Sequence, residues 1–251
     1  MIELNKIYNE DCLEGMKRIP DGSVDMILCD LPYGTTVCKW DTVIPFEALW
    51  EQYNRITKPK GVIALFGSEP FSTYLRMSNI DNYKYEWVWD KISPSGFLNA
   101  KKRPLKRFEN IMIFSNGVPV YFPQMEVRGK PRNKTSYNNK NGDGDMVYGK
   151  FENVYSYNNT YYPTNIITIS NAVKKGKVHP TQKPVALLEY LVKTYTNEGE
   201  IVLDNCMGSG TTAIACINTG RNFIGFELDK QYCEIANERV RKALAEKEVG
   251  E

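Results

Sequence analysis

Short apolar runs and amphipathic spacings alternate along most of the chain. Runs of three to seven mainly apolar residues predict strands buried in a sheet, and they are residues 24–30, 62–66, 85–89, 111–114, 201–203 and 223–226. Apolar residues spaced by three and four predict helices over residues 45–57, from Pro184 onwards, over 211–219 and over 230–246. Strands that alternate with helices indicate an α/β fold whose sheet is mainly parallel.

The alternation stops between residues 116 and 176. Residues 131–165 contain 8 Asn, 6 Tyr and 3 Gly and few aliphatic side chains. Such a segment is too poor in apolar residues to form a core of its own. We therefore expect an insertion in the α/β domain that is partly flexible.

Charge is distributed unevenly although the net charge is only +2. Residues 101–183 hold 15 Lys or Arg against 5 Asp or Glu, whereas the remainder holds 17 basic and 25 acidic residues. This segregation suggests a polyanionic partner, and a solvated flexible insertion is the alternative interpretation.

The six cysteines have no C-x-x-C spacing and His179 is the single histidine, so the sequence predicts no metal site. We find no secretory signal and no apolar run of membrane-spanning length, and we expect a cytoplasmic protein with no membrane partner.

A glycine-rich turn follows the predicted strand 201–203. It reads Asp204-Asn205-Cys206-Met207-Gly208-Ser209-Gly210-Thr211-Thr212-Ala213 and leads into a predicted helix. Glycines let a backbone turn tightly and approach a ligand closely, and Glu227, which ends the next strand, suits a ribose diol. The pattern predicts a nucleoside-binding site, although it does not distinguish NAD from S-adenosylmethionine. A plain glycine-capped turn is the alternative.

A second segment, Asp30-Leu31-Pro32-Tyr33-Gly34, follows the strand at 24–30. Ligands of open α/β sheets bind at the carboxyl ends of strands. The Asp30 carboxylate and the Leu31 carbonyl can accept hydrogen bonds from an exocyclic amine, and Tyr33 can stack on a flat base. An ordinary turn ended by Pro-x-Gly is the alternative.

A third segment, His179-Pro180-Thr181-Gln182-Lys183-Pro184, gathers polar groups at a helix N-terminus, where a carboxylate is bound favourably.

Together, and in this order, the three segments resemble the beta class of the N4-cytosine/N6-adenine DNA amino-methyltransferases. The resemblance covers about residues 5–245. It implies a Rossmann-like, S-adenosylmethionine-dependent methyltransferase fold with a circularly permuted, mostly parallel sheet. Residues 1–115 would form the catalytic half, 116–176 the inserted target-recognition region and 177–251 the cofactor-binding half of the same domain.

The resemblance also implies roles for individual residues. Asp30, Leu31, Pro32 and Tyr33 would be catalytic. The expected contacts of S-adenosylmethionine are Asp11, Cys12, Asp30, Phe66, His179, Thr181, Lys183, Asp204, Cys206, Gly208, Gly210, Thr211 and Glu227. The expected contacts of double-stranded DNA, through its phosphates, are Lys101, Lys102, Arg103, Lys106 and Arg107.

The sequence departs from the family pattern at two motifs. The usual tetrapeptide has two prolines, and Leu31 replaces the first; since its carbonyl is the functional group, we expect activity to survive. Asn205-Cys206 replaces the usual Pro-Phe, so a ring that would pack on the cofactor is missing. The chain is also short for the class, which suggests loose DNA specificity.

We expect methyl transfer to N6 of a flipped-out adenine, because the family's adenine enzymes usually begin the tetrapeptide with Asp. N4-cytosine methylation is the alternative within the family. An NAD-dependent dehydrogenase would leave Asp30–Tyr33 unexplained, and a non-catalytic DNA-binding protein should have lost Asp30 or the glycine turn. The resemblance raises two partners as expectations, a cognate restriction endonuclease and a second copy in a homodimer, in a bacterial or phage-infected cell.

Overall fold

The computed structural model describes residues 2–34, 41–135, 155–171 and 182–250. The chain divides into two compact units, which are Met1–Phe122 with Asn165–Glu251, and Pro123–Thr164. Among the described residues, no helix is both long and apolar enough to cross a lipid bilayer.

The larger unit is built on one eight-stranded sheet. Its strands are β1 (Lys6–Tyr8), β2 (Val24–Cys29), β3 (Thr57–Gly67), β4 (Tyr83–Ser95), β5 (Lys106–Phe114), β8 (Ile166–Thr168), β9 (Ile201–Asp204) and β10 (Asn222–Phe226). Their order across the sheet is β1-β10-β9-β2-β3-β5-β4-β8. Among the strands described for this sheet, only β5 runs antiparallel to its neighbours, which confirms the mostly parallel α/β sheet that the sequence predicts.

Helices cover both faces of this sheet. They are α1 (Cys12–Met16), α2 (Phe46–Ile56), α3 (Phe71–Ser78), α4 (Val185–Tyr195), α5 (Thr211–Asn218) and α6 (Lys230–Gly250). In β2, Met26 and Leu28 join the core beneath α4, α5 and α6, whereas Ile27 and Cys29 join the core beneath α1, α2 and α3. Successive residues of a strand point to opposite faces, so a strand buried on both faces is a continuous apolar run.

The predicted helices and strands are all present. To the larger unit the structure adds β1, α1, α3 and β8, which the apolar pattern does not predict. Strand β8 lies inside the segment 116–176 and pairs with β4, so that segment contributes one strand to the large sheet. The boundaries of the insertion stay a prediction.

The smaller unit contains an antiparallel pair, β6 (Glu126–Thr135) and β7 (Tyr155–Tyr161). Basic residues occupy every second position of β6, at Arg128, Lys130, Arg132 and Lys134. The Lys134 ammonium lies 3.5 Å from the centroid of the Tyr161 ring, and the guanidinium carbons of two β6 arginines lie within 6 Å of it. The ring holds several cations through its negative π face.

Candidate active site

A cavity of about 650 Å³ opens at the carboxyl ends of the parallel strands. Segments that follow β2, β9 and β10 line it together, because β2 pairs with β9 and β9 pairs with β10. The Asp30 segment and the glycine-rich turn, 174 residues apart from Asp30 to Asp204, therefore meet in one site. This is the position at which open α/β sheets bind ligands.

Asp30 follows the last residue of β2 and lies in a cluster of charges. Its Oδ2 atom is 2.6 Å from the Lys183 ammonium, and its Oδ1 atom accepts a 2.7 Å hydrogen bond from the Tyr33 hydroxyl. Lys183 also lies 3.2 Å from Glu109 Oε2, and Lys91 lies 3.0 Å from Glu109 Oε1. Two carboxylates and two ammonium groups thus neutralise one another at the cavity wall.

The two carboxylates keep Lys183 charged although its side chain is only 10% exposed. Burial by itself would lower the pKa of Lys183, but Asp30 and Glu109 outweigh burial and raise that pKa above its ordinary value. In Glu109, burial is likewise outweighed by Lys183 and Lys91, so the pKa of Glu109 is lowered. The ammonium also lies 5.0 Å from the centroid of Phe66 and 5.9 Å from that of Trp89.

The rest of the Asp30 segment is ordered around the same carboxylate. Leu31 is buried and Pro32 is half-buried, and both line the cavity. The half-buried Tyr33 ring stacks on Phe71 with 4.8 Å between centroids. Burial and the nearby Asp30 and Glu109 carboxylates raise the pKa of Tyr33, so its hydroxyl stays a hydrogen-bond donor.

The glycine-rich turn presents open backbone to the cavity. Gly208 has φ +53° and Gly210 has φ +82°, a left-handed conformation that glycine adopts without strain. A Cβ added to Gly208 would meet no atom within 4 Å, whereas one added to Gly210 would lie 3.0 Å from Cβ of Ala236 in α6. Gly208 therefore leaves room for a ligand, and Gly210 allows α5 and α6 to pack. Thr211 begins α5 and is buried at the cavity wall.

Two acidic residues fix the ends of this turn. Asp204 is buried and accepts hydrogen bonds from Thr212 Oγ1 (2.5 Å) and the Cys206 N–H (3.0 Å). Burial raises the pKa of Asp204 to about 6. Glu227 accepts a 2.7 Å bond from the Gly208 N–H and a 2.8 Å bond from the Asp229 N–H, and burial raises its pKa too. Both carboxylates line the cavity.

The model of the N6/N4 DNA methylase family matches residues 24–238. The chain belongs to this family. Among its relatives, the type II methyltransferase M.HpaI of Haemophilus parainfluenzae is 29% identical over 94% of this chain and 74% of its own length. The type II methyltransferase M.BglII of Bacillus subtilis is 30% identical over 93% of this chain and 68% of its own length.

Solved methyltransferase structures share the fold of this methylase. The M1.HpyAVI complex with S-adenosylmethionine superposes with a TM-score of 0.60 at 27% identity, over 94% of this chain and 98% of that one. The cytosine-N4-specific PvuII methyltransferase superposes with a TM-score of 0.65 at 16% identity, over 94% and 90%. The chain is an S-adenosylmethionine-dependent DNA methyltransferase of the N6/N4 type, as its motifs predict.

The cavity of the methylase fits S-adenosylmethionine. Its volume lies within the range of small-molecule sites, roughly 300–1,000 Å³. The open backbone at Gly208 and the Glu227 carboxylate suit a nucleoside, and Asp11, Cys12 and Phe66 line the same space. Asp11 caps helix α1, since its carboxylate accepts the N–H groups of Leu13 and Glu14. Within the described residues, no group of three or more His, Cys, Asp or Glu could hold a metal ion.

The Asn205-Cys206 departure changes what lies beneath this space. The Asn205 side chain accepts a 2.5 Å hydrogen bond from the buried Tyr53 hydroxyl and lies 3.5 Å from Cys12 Sγ. Cys206 contacts the thiols of Cys12 and Cys29. Its contact with Cys29 and its burial raise the pKa of the Cys206 thiol. A polar and sulfur-lined surface thus stands where the family pattern has a proline and an aromatic ring.

The predicted contacts of the methionine carboxylate and of DNA are the residues that remain. His179 and Thr181 lie outside the described residues. The Lys183 ammonium lies on Asp30 and Glu109, and its role near the methionine carboxylate stays a prediction. The five predicted DNA contacts are exposed on the β4–β5 hairpin. Two of these are engaged, Arg107 with Asp90 at 2.7 and 2.8 Å and Lys106 with Ser68 Oγ at 3.0 Å.

Sequence reasoning missed Glu109, Lys91 and Trp89, which all line the cavity. A signal was present, because Glu109 lies two residues before the apolar end of β5 and Lys91 lies two residues after the apolar part of β4. A charge at such a position is buried only when a partner neutralises it. The partner, however, could not be identified without the pairing of the two strands.

Proposed function

We propose that the methylase transfers a methyl group to N6 of an adenine flipped out of double-stranded DNA. The observation that carries this proposal is the Asp30 carboxylate, oriented by Lys183 and Tyr33 in the cavity that the glycine-rich turn also lines. A carboxylate that can accept hydrogen bonds from an amine and a glycine-rich turn that suits the cofactor thus line the same cavity.

Asp30 can hold the amine without releasing its present partners. A carboxylate offers about four lone pairs, and Lys183 and Tyr33 use one on each oxygen. A free lone pair can accept one N–H of the adenine amine, and the Leu31 carbonyl can accept the other. These two bonds draw the nitrogen lone pair out of conjugation with the ring and aim it at the methyl donor.

S-adenosylmethionine, when bound, supplies an electrophilic methyl group on its sulfonium. The amine nitrogen forms the new bond to carbon as the sulfur–carbon bond breaks, so the nitrogen becomes positively charged and then loses one proton. Asp30, which would hold the amine through a hydrogen bond, would accept that proton and release it to water. Lys183 orients the Asp30 carboxylate through their 2.6 Å ion pair, and Glu109 and Lys91 balance the charge of the cluster.

Tyr33 supplies a surface for the base. Phe71 covers one face of its ring, so a base would stack on the other. A base in a duplex cannot reach Asp30, and flipping costs a few kcal/mol of stacking and pairing. Stacking on an aromatic ring is worth about 1–3 kcal/mol per base and offsets part of that cost.

The cavity lining supports the cofactor contacts that we propose for Asp11, Cys12, Gly208, Thr211 and Glu227, whereas those of His179 and Thr181 rest on the family resemblance alone. Glu227 would bind the ribose diol, Gly208 and Thr211 would lie along the cofactor, and Asp11 and Cys12 would face its adenine. His179 and Thr181 would lie near the methionine carboxylate. Lys101, Lys102 and Arg103 would contact DNA phosphates, which position a duplex without reading its sequence.

Cytosine N4 is the second candidate substrate, since its exocyclic amine is chemically similar. Adenine is favoured because Asp begins the tetrapeptide, as it usually does in the family's adenine enzymes. A cognate restriction endonuclease and a homodimer stay predictions.

The test uses methyl-labelled S-adenosylmethionine with plasmid DNA from a methylation-deficient host. The nucleosides are analysed by mass spectrometry and the modified positions are mapped. We expect N6-methyladenine from the wild type and none from Asp30→Ala, with Asp81→Ala as a distant acidic control. Label on N4-methylcytosine would overturn the choice of adenine, and cofactor binding without any label on DNA would overturn the proposal.

A further inference from the structure

The β4–β5 hairpin ends in two large apolar side chains that the protein leaves in solvent. Phe97 is 78% exposed and Leu98 is 84% exposed. Phe108 and Ile92, lower on the same hairpin, are 54% and 48% exposed. Phe97 and Leu98 are neighbours in the chain, and exposed apolar side chains that lie together on a folded protein commonly mark an interaction site.

The tip is an ordered turn. Gly96 adopts φ +87°, and residues 97–99 form a single helical turn after it. The N–H of Asn99 donates to the Gly96 carbonyl at 2.9 Å, and the N–H of Ala100 donates to the Phe97 carbonyl at 3.1 Å. The two apolar side chains are therefore presented on a backbone that is already in place, which reduces the entropy lost on binding.

The arms of this hairpin continue the wall of the catalytic cavity. Lys91 and Ser95 of β4 and Glu109 of β5 line that cavity, and Ser95 pairs with Lys106. Phe97 follows Ser95 by two residues, so its Cα lies within about 8 Å of the Ser95 Cα. The apolar tip therefore lies next to the part of the cavity wall that Ser95 forms.

Positive charge follows the apolar tip directly. Lys101, Lys102 and Arg103 are exposed, and none of them forms an ion pair with any residue in the described part of the chain. An apolar tip beside free cations suits a partner with an anionic backbone and an apolar interior. A DNA duplex has both, in its phosphates and its stacked bases.

We propose that Phe97 and Leu98 form an apolar wedge that enters the DNA base stack at the position left by the flipped base. This inference rests on the proposed function. Apolar side chains inserted between base steps are an established way to hold a duplex in a distorted form. The wedge would stabilise the extrahelical state of the target, while the adjacent cations bind the phosphates on either side.

The test compares two duplexes built around the methylated position that the mapping experiment finds. In one duplex the target base is paired, and in the other it stands opposite an abasic site, so that little pairing opposes flipping. We expect the Phe97→Ser/Leu98→Ser variant to lose at least tenfold in kcat/KM on the paired duplex and less than threefold on the other. Phe97→Leu keeps an apolar tip and should retain activity within about threefold on both.

The matched control is Tyr74→Ser/Met77→Ser, which removes two apolar side chains of α3 that are 65% and 66% exposed. It should leave both rates unchanged. Equal losses of the hairpin variant on the two duplexes, or no loss on either, would overturn the wedge. A wild-type enzyme that methylates neither duplex contradicts the proposed function itself, and that outcome is distinct from the other two.

Discussion

Replacing Lys183 with methionine removes the ammonium that contacts both Asp30 and Glu109. Methionine keeps an unbranched apolar side chain, so the packing against Phe66 and Trp89 is largely retained. The two carboxylates stay no more than about 6 Å apart, since one nitrogen contacts both, and Lys91 is left to neutralise them.

Coulomb's law gives the size of the effect. At an effective dielectric constant of about 20, the ammonium attracts each carboxylate by roughly 5–6 kcal/mol, and two carboxylates about 6 Å apart repel by roughly 3 kcal/mol. Desolvation of the ammonium cancels much of this attraction, and the loss of one partner of a buried ion pair typically costs about 3–5 kcal/mol. We expect the free energy of unfolding of Lys183→Met to fall by that amount at pH 7.5.

The penalty should depend on pH in a defined direction. In the wild type the pKa of Glu109 is lowered, so its contribution to stability is present above its unfolded pKa and is lost as the pH falls through the folded pKa. In Lys183→Met, burial and like charge would raise that pKa above its unfolded value. As the pH falls, protonation of a carboxyl in the variant removes the repulsion between Glu109 and Asp30, so the variant regains stability. The difference between the two proteins should therefore shrink from pH 7.5 to pH 5.

Urea unfolding followed by tryptophan fluorescence measures this difference at both pH values. Lys193→Met, which removes an exposed ammonium from α4, is the control and should change stability by less than about 0.5 kcal/mol. If the variant is unfolded at pH 7.5 but folded at pH 5, its stability changes with pH in the expected direction. A variant as stable as the wild type, or one with the same deficit at both pH values, would refute this account of the cluster.

Three further predictions concern the cofactor side of the site. Glu227→Gln should weaken S-adenosylmethionine binding by roughly 10–100-fold in calorimetry, because hydrogen bonds to a charged carboxylate are worth about 1.5–3 kcal/mol; unchanged affinity would remove Glu227 from the ribose site. Tyr53→Phe should lower the free energy of unfolding by about 1–3 kcal/mol in urea, since the buried Asn205 oxygen loses its donor. Asp204, with a folded pKa of about 6, favours the folded state below its unfolded pKa and loses that contribution as the pH rises through 6. Asp204→Asn should therefore flatten the stability profile between pH 4 and 7, and an unchanged slope in pH-dependent urea melts would contradict the assignment.

The sequence predicts those parts of the molecule that burial dictates. A strand such as β2, covered on both faces, has to be an apolar run, and the amphipathic α2 has to carry its apolar residues at a spacing of three and four. Strands β6 and β7 have no such requirement, because neither contains an apolar run and β6 has a basic residue at every second position from Arg128 to Lys134. The three-residue β1 and β8 are held by their neighbours in the sheet, and three residues are too few to form a pattern.

The candidate site likewise contains residues that the local sequence predicts and residues that it does not. Asp30, Gly208 and Glu227 are predicted because each stands in a motif whose local sequence carries the chemistry. Glu109 stands in no motif, and its function depends on Lys183, which is 74 residues further along the chain. A contact between distant elements arises from strand pairing and helix packing, and the local sequence does not specify it.

Strand pairing also explains why the permuted order of motifs does not prevent a methyltransferase site. The Asp30 segment, for which we propose amine binding, follows β2, and the glycine-rich turn follows β9. These strands are adjacent and parallel in the sheet. Parallel neighbours deliver their carboxyl ends to the same edge, whichever strand comes first in the chain. Catalysis requires only that the amine and the methyl donor meet with the correct orientation. The pairing of Met26 with Val202 and of Ile27 with Leu203 therefore fixes the relation between the two halves of the site.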